Sequence, residues 1–184
     1  MTDRFLICLP FTLAQEDPVP NDWNNPRNYS DTPGDSGGPT FNGITHTEYD
    51  IWRKQQELPT QDIRKMTQDE GYAIYRQNYW MPDCPNLPAG LDLQFFDTAV
   101  NMGSNRAVKL LQASLGLAAD GDWGPLTQAA VVAITPATLP GIIKDETGLR
   151  LKTYQSFGGY REFGADWSRR DAEIGAEALK MVSI

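Results

Sequence analysis

The chain opens on a nearly continuous apolar stretch, Phe5, Leu6, Ile7, Leu9, Phe11 and Leu13, that runs into the carboxylates Glu16 and Asp17. Such a stretch lies at the edge of a core and leaves Glu16 facing a loop. Residues 17–40 then bring Pro18, Pro20, Pro26, Pro33 and Pro39 among Asn, Asp and Gly, a composition that forms neither a long helix nor a central strand. A long ordered loop or a short hairpin with irregular arms is expected there, with Trp23 and Tyr29 as its packing surface. Loops of that length inside compact domains are uncommon and often serve binding or catalysis.

Helical spacing governs the rest. Thr67 and Glu70 have capping-box spacing, and Ile74, Tyr75, Asn78 and Tyr79 continue the pattern up to a stop at Pro82. Two further helices are predicted over 91–101 and 105–115, broken at Gly103. Pro125 suits a helix start, with 129–134 carrying that helix onward. A last helix is predicted from Arg170 or Asp171 to Met181. The expected fold class is mainly α, with a long irregular loop or small β-hairpin near residues 17–45.

At 184 residues and 40% hydrophobic content, the chain can build one substantial core or two small lobes that share one. No segment approaches the ~18 apolar residues of a membrane span. Asp3 and Pro10 interrupt the apolar opening and no small-residue cleavage site follows, so no signal peptide is expected. Synthesis in the cytoplasm is the corresponding expectation.

Charge and cysteine content remove whole classes of chemistry. The net charge is −8, and residues 1–92 hold 14 acids against 7 bases while 93–184 hold 10 against 9. Nucleic-acid binding, which needs basic patches to replace counterions, is not expected. Cys8 and Cys84 have neither CxxC spacing nor a ligand cluster around them and read as reduced structural thiols by default, with a bridge between the two as the open alternative. His46 is the only histidine, which excludes a histidine-rich zinc site and removes the usual base of a Ser-His-Asp or Cys-His arrangement unless His46 itself serves.

Glu16, the run DSGGPTFNGIT (35–45), TQDEGYAIYRQNYW (67–80), FFDTAVNMG (95–103), LLQASLG (110–116) and DGDWGPLT (120–127), in this order, resemble the N-acetylmuramidases of glycoside hydrolase family 108. The resemblance runs over about residues 5–182. It implies a lysozyme-like, mostly helical fold, a single domain over 1–184 with a catalytic lobe at about 1–91 and a helical, peptidoglycan-binding-like region at 92–184. In the family the catalytic Glu opens a Glu-Gly-Gly-aromatic motif with an Asp-Pro-Gly-Gly run soon after. Here the match reads Gln15-Glu16-Asp17-Pro18, and Asp35-Ser36-Gly37-Gly38 comes after a longer segment.

The implied activity is hydrolysis of the β-1,4 bond between N-acetylmuramic acid and N-acetylglucosamine, with Glu16 as general acid and peptidoglycan glycan strands as the partner. Glycosidases of this kind pair the acid with a second carboxylate; Asp35 in the glycine-rich run is the candidate and Asp17 the reserve. Thr45 either positions water or caps the segment 47–54. Asn42 has the donor and acceptor to hold an acetamido group. Asp97 and Asn101, four apart, share a helical face that is either a wall of the cleft or a buried packing pair. Tyr154 is a candidate cleft residue, whereas Trp167 is expected in the core.

The segment 120–127 lacks the alternating oxygen ligands and final Glu of an EF-hand loop, so a structural turn around Trp123 is expected there. No metal and no cofactor is implied. An enzyme of this type reaches the wall after release through a phage holin or by a dedicated secretion system. Two other outcomes share the fold: a lytic transglycosylase using the same acid, and a non-catalytic peptidoglycan-binding or structural protein.

Overall fold

The computed structural model describes residues 3–20, 22–31 and 38–182. The chain divides into two compact units, Phe5–Asn78 and Met1–Arg4 with Tyr79–Ile184. The architecture is mainly α with one small sheet in the N-terminal part, as the apolar pattern predicts.

Helix α1 (Arg4–Glu16) buries Phe5, Cys8, Leu9, Thr12 and Leu13. That spacing of three and four is the inward stripe of an amphipathic helix, and it leaves Pro10 on the exposed side. Strands β1 (Tyr29–Ser30), β2 (Thr40–Phe41) and β3 (Ile44–Thr45) form an antiparallel sheet in sequence order. Phe41 pairs with Ile44 and Thr40 with Thr45. The two intervening residues both have positive φ, 49° at Asn42 and 74° at Gly43. An Asn-Gly pair in this left-handed conformation makes the two-residue hairpin turn whose twist matches its strands.

Helix α2 (His46–Gln55) starts at once, with the Thr45 side chain accepting from the Glu48 N–H. Helix α3 (Gln68–Tyr75) carries the expected capping box between Thr67 and Glu70, and runs on as a π-helical turn over Arg76–Trp80. Helices α2 and α3 are tied by polar groups. Arg53 donates to Glu70 Oε1 at 2.6 Å and to the Tyr49 hydroxyl at 3.0 Å, while Tyr49 donates to Glu70 Oε2 at 2.9 Å. Trp23, in the proline-rich segment, sets the outer edge of its ring against Gly71, where a Cβ would meet it at 2.0 Å, and its indole N–H donates to the Met66 carbonyl. Only glycine at 71 lets the loop approach α3 so closely.

In the other unit, helix α4 (Leu91–Met102) is buried from Leu91 to Ala99 on every face. It contacts α5 (Ser104–Ser114), α7 (Leu139–Gln155) and α8 (Tyr160–Met181), and α7 contacts α5 and α8. Helix α6 (Pro125–Val132) begins at Pro125 as expected. Helix α7 was not foreseen from the sequence, and α8 starts ten residues before Arg170, at Tyr160. A helix enclosed all round must find partners for its polar residues. Asp92 takes two hydrogen bonds from the Arg4 guanidinium, at 2.7 and 2.8 Å, and Gln94 donates to Thr147. Cys8 and Cys84 are buried and not joined by a disulfide.

Candidate functional site

Glu16 is the last residue of α1 and is half-buried. Its stem meets the hairpin turn: a Cβ built on Gly43 would stand 3.1 Å from Glu16 Cβ, 3.4 Å from Cγ and 2.4 Å from the Tyr75 hydroxyl oxygen. Tyr75 in turn donates to the Asn42 carbonyl at 2.9 Å. The turn is thereby held between α1 and α3, with the Glu16 carboxylate beside it.

Asp17 follows on the chain and behaves differently. It is 8% exposed, and neither carboxylate oxygen has a hydrogen-bond partner among the described residues. Burial, with the neighbouring Glu16 charge adding to it, pushes its pKa up to about 7. The helix C-terminus, negative by its aligned peptide dipoles, is also a poor place for a carboxylate. Two adjacent carboxyls thus stand in contrasting environments, a pattern that recurs at catalytic sites.

The sheet presents two faces. Phe41 and Ile44 are buried, whereas Thr40 and Thr45, opposite one another in register, share the other face with Ser30, which pairs with Thr40. The Thr45 hydroxyl is occupied as the cap of α2 at 3.2 Å from the Glu48 N–H. Thr40 is therefore the less committed hydroxyl of the pair, and sequence reasoning passed over it. The register that would have found it depends on recognising the Asn42-Gly43 turn.

A cleft of about 400 Å³ opens along α2, lined by Thr45, Thr47, Glu48, Ile51, Trp52, Gln55 and Asn78. Asn78, from the π-helical turn, donates to Glu48 Oε1 at 2.8 Å, and Gln77 donates to Gln55 Oε1 at 3.1 Å.

Several expected site residues have structural duties instead. Asn42 is wholly buried: its amide nitrogen donates to the Trp23 carbonyl at 3.0 Å and its oxygen accepts from Asn28 at 2.9 Å. It holds the proline-rich segment to the hairpin and offers no face to a sugar. Asp97, Asn101 and Tyr154 do come together, inside the helical unit. Asp97 accepts from Arg150 at 2.6 Å and from Arg170 at 2.8 and 3.0 Å, and Tyr154 accepts from Arg150 at 2.9 Å and donates to Asn101 at 2.6 Å. The Tyr154 ring stacks on Trp167 at 5.3 Å. The set is a buried packing network, not a cleft wall. Asp35 lies outside the described residues.

The network extends to groups that sequence reasoning did not single out. Burial acts against the Asp97 carboxylate, but the Arg150 and Arg170 guanidiniums outweigh it and hold its pKa below the usual range. Glu146, fully buried with neither oxygen partnered among the described residues, is pushed by burial up to about 8, and burial raises Asp171 to about 6.

Comparison with known proteins extends this picture. Residues 25–103 match the family model described as glycosyl hydrolase 108. The structure of SagA from Brucella abortus is 30% identical and superposes with a TM-score of 0.78, covering 98% of this chain and 96% of that one. The chain belongs to the glycosyl hydrolase 108 family. No curated protein matches it. In this family member the matched segment takes in the hairpin, α2, α3 and α4, together with Asp35, Thr40, Asn42, Thr45, Asp97 and Asn101, while Glu16, Asp17 and Tyr154 stand outside it.

Proposed function

We propose that this glycosyl hydrolase 108 protein cleaves the β-1,4 bond between N-acetylmuramic acid and N-acetylglucosamine in bacterial peptidoglycan, with Glu16 as the general acid. The observation that carries the reading is the seating of Glu16 against Gly43 and beside Tyr75. An acid held by a rigid helix end on one side and a tied-down turn on the other can keep its proton aimed at one leaving oxygen.

In this mechanism Glu16 protonates the glycosidic oxygen as the bond to the sugar's anomeric carbon breaks. A second carboxylate on the other side of the ring either attacks that carbon or draws a proton from the attacking water. Asp35 has that role. Thr40, with its hydroxyl on the open face of the sheet, orients the water, and Thr45 supports it by anchoring α2. Asp17, with its pKa raised to about 7, carries less than a full negative charge beside Glu16 at neutral pH.

The test is lysis of purified peptidoglycan by the wild-type protein and by Glu16→Gln, which keeps the side-chain shape but has no proton to give. Activity should disappear in the variant while its circular dichroism stays that of the wild type. Lysis by Glu16→Gln at the wild-type rate would overturn the assignment, and a folded but inactive wild type would favour a binding role. Mass spectrometry of the products separates the chemistries: a reducing muramic-acid end marks hydrolysis, a 1,6-anhydro end transglycosylation, and released peptide stems neither.

A further inference from the structure

The helical unit shuts three carboxyls and two guanidiniums away from water in one cluster. Asp97 on α4, Arg150 on α7, and Arg170 and Asp171 on α8 are all buried, and Glu146, one turn before Arg150 on α7, is not exposed at all. Arg150 Nη2 lies 2.6 Å from Asp97 Oδ2 and its Nε lies 3.8 Å from Asp171 Oδ1, while Arg170 donates to Asp97 at 2.8 and 3.0 Å. Glu146 has neither oxygen hydrogen-bonded among the described residues. Two charges act on it: Arg150 favours its ionised form and Asp171 opposes it.

With all five groups ionised, two positive charges face three negative ones. An unbalanced charge in a water-free interior is costly, so balance requires a proton on one of the carboxyls. Asp97 does not take it, because both guanidiniums bind it and hold its pKa below the usual range. Asp171 has the Arg150 guanidinium beside it. The proton therefore belongs to Glu146, and burial pushes Glu146 up to about 8 against about 6 for Asp171.

No other charge enters the cluster from the helices around α7. Helix α5 buries Ala107, Val108, Leu110, Leu111 and Gln112, and Asp92, the other buried acid of α4, is bound by Arg4. Burial raises the Tyr154 hydroxyl above its ordinary 10, so it stays neutral. The remaining charged residues of α5, α7 and α8 are exposed, apart from Glu177, which pairs with Lys180.

Helix α7 has little room to adjust in place. Thr147, next to Glu146, accepts from Gln94 at 2.8 Å and lies against Gly175 of α8, where a Cβ would stand 2.8 Å from its Oγ1. Ile143 lies against Gly90, where a Cβ would stand 3.3 Å from its Cδ1. The helix also carries Gly141 and Gly148, which weaken it intrinsically. An element held by docking more than by its own propensity is the one that opens first.

We propose that this cluster is a proton-controlled latch on α7: a proton held on Glu146 keeps the buried charge at zero and α7 docked on α4 and α8, and its loss releases α7 while the other unit stays folded. The step is one deprotonation, in which Glu146 gives its proton to bulk solvent and the charge left behind is stabilised where α7 has opened to water. The latch is independent of the role of Glu16.

Hydrogen–deuterium exchange of the full chain at pH 7 and 9, corrected for the intrinsic pH dependence of amide exchange and read by mass spectrometry, is the test. Peptides from residues 143–155 should lose about tenfold in protection between the two, the factor by which the ionised form of a group titrating at about 8 outweighs the neutral one at pH 9. Peptides from α2 and α3 should keep theirs. In Glu146→Gln the α7 peptides should hold their pH 7 protection at pH 9. Asp171→Asn leaves the cluster balanced with Glu146 ionised, so it should remove most of the loss as well. The proposal is overturned if α7 keeps its protection at pH 9, if α2 and α3 lose as much as α7, or if either variant loses as much as the wild type. Should Glu146→Gln fail to fold, Glu146→Leu, uncharged at any pH, takes its place, and the wild-type contrast between α7 and α2 with α3 decides without either.

Discussion

Gly43 and Glu16 touch: the turn residue has no side chain, and a Cβ in its place would press on the Glu16 stem at 3.1 Å and overlap the Tyr75 hydroxyl at 2.4 Å. Its φ of 74° would be strained for any L side chain besides. Gly43→Ala should therefore cost about 1–2 kcal/mol from backbone conformation alone, with the overlap adding to that, and lower Tm by at least several degrees. The turn moves away from Glu16 to relieve the contact, so turnover on peptidoglycan should fall more than the folded fraction does. Tyr75→Phe, which loses the hydrogen bond to the Asn42 carbonyl, should cost about 1 kcal/mol and have the smaller effect on turnover. Thermal melts beside a turbidity assay check both.

Asp17 makes a pH-dependent prediction. Its folded pKa of about 7 lies above its ordinary 3.8, so the stability it lends is full below about pH 3.8 and is lost as pH rises towards 7. Asp17→Asn removes that loss. The variant should melt higher than the wild type at pH 8, and the advantage should shrink as pH falls to 4. Calorimetry across that range is the check, and each kcal/mol corresponds to about 2–4 °C in a chain of this size. An advantage independent of pH would mean that the Asp17 carboxyl is not the titrating group.

The elements that were legible in the sequence were those whose inward positions are apolar or whose ends carry caps. The Thr67–Glu70 box, Pro125 and the break at Gly103 each appear where spacing put them. Helix α7 was not legible because its buried positions are Leu139, Ile143, Glu146, Arg150 and Tyr154. Their spacing is helical throughout, but two of the five are charged, and a search for apolar periodicity passes over them. The first half of α8 failed for a related reason, since Gly164 is the only buried residue before Arg170. At the site, Glu16 could be singled out by motif. The burial of Asp17 depends on tertiary contacts that local patterning does not carry, whereas the register pairing Thr40 with Thr45 follows from the Asn42-Gly43 turn once that turn is recognised. Asp97, Asn101 and Tyr154 could be picked out one by one but not joined into a network, because the arginines that bind Asp97 and Tyr154 lie on α7 and α8.

That enclosed network should respond unequally to substitution. Arg150→Met strips the Asp97 carboxylate of one of its two guanidiniums, and losing one member of a buried ion pair costs about 3–5 kcal/mol. Glu146→Gln should be close to neutral at pH 4, below its ordinary 4.5, where Glu146 holds its proton in the folded and the unfolded chain alike. The stability Glu146 lends is full below its ordinary 4.5 and lost as pH rises through 8, so Glu146→Gln should become stabilising relative to wild type at pH 9. Asp97 has the opposite sign: its lowered pKa lends stability above the ordinary carboxylate range that is lost on acidification. Urea titrations of both variants at pH 4 and 9 measure these differences, and an equal cost at the two pH values for Glu146→Gln would contradict the titration.

Thr40 and Thr45 separate chemistry from scaffolding on one face of the sheet. Thr45→Ala removes the acceptor for the Glu48 N–H and should cost about 0.5–2 kcal/mol, with turnover following the loss of folded protein. Thr45→Ser keeps a capping oxygen and should restore both. Thr40→Val, which keeps the branched shape suited to a strand but has no hydroxyl, should leave Tm within a few degrees of wild type while lowering kcat by at least tenfold. Thr40→Ser should recover much of that rate. The contrast rests on the pairing of Thr40 with Thr45 in register and on the commitment of only the second hydroxyl to a helix cap. Steady-state kinetics on solubilised glycan, read beside melting curves for the four variants, distinguishes the roles. A Thr40→Val enzyme as fast as the wild type would take the water-orienting role away from the sheet altogether.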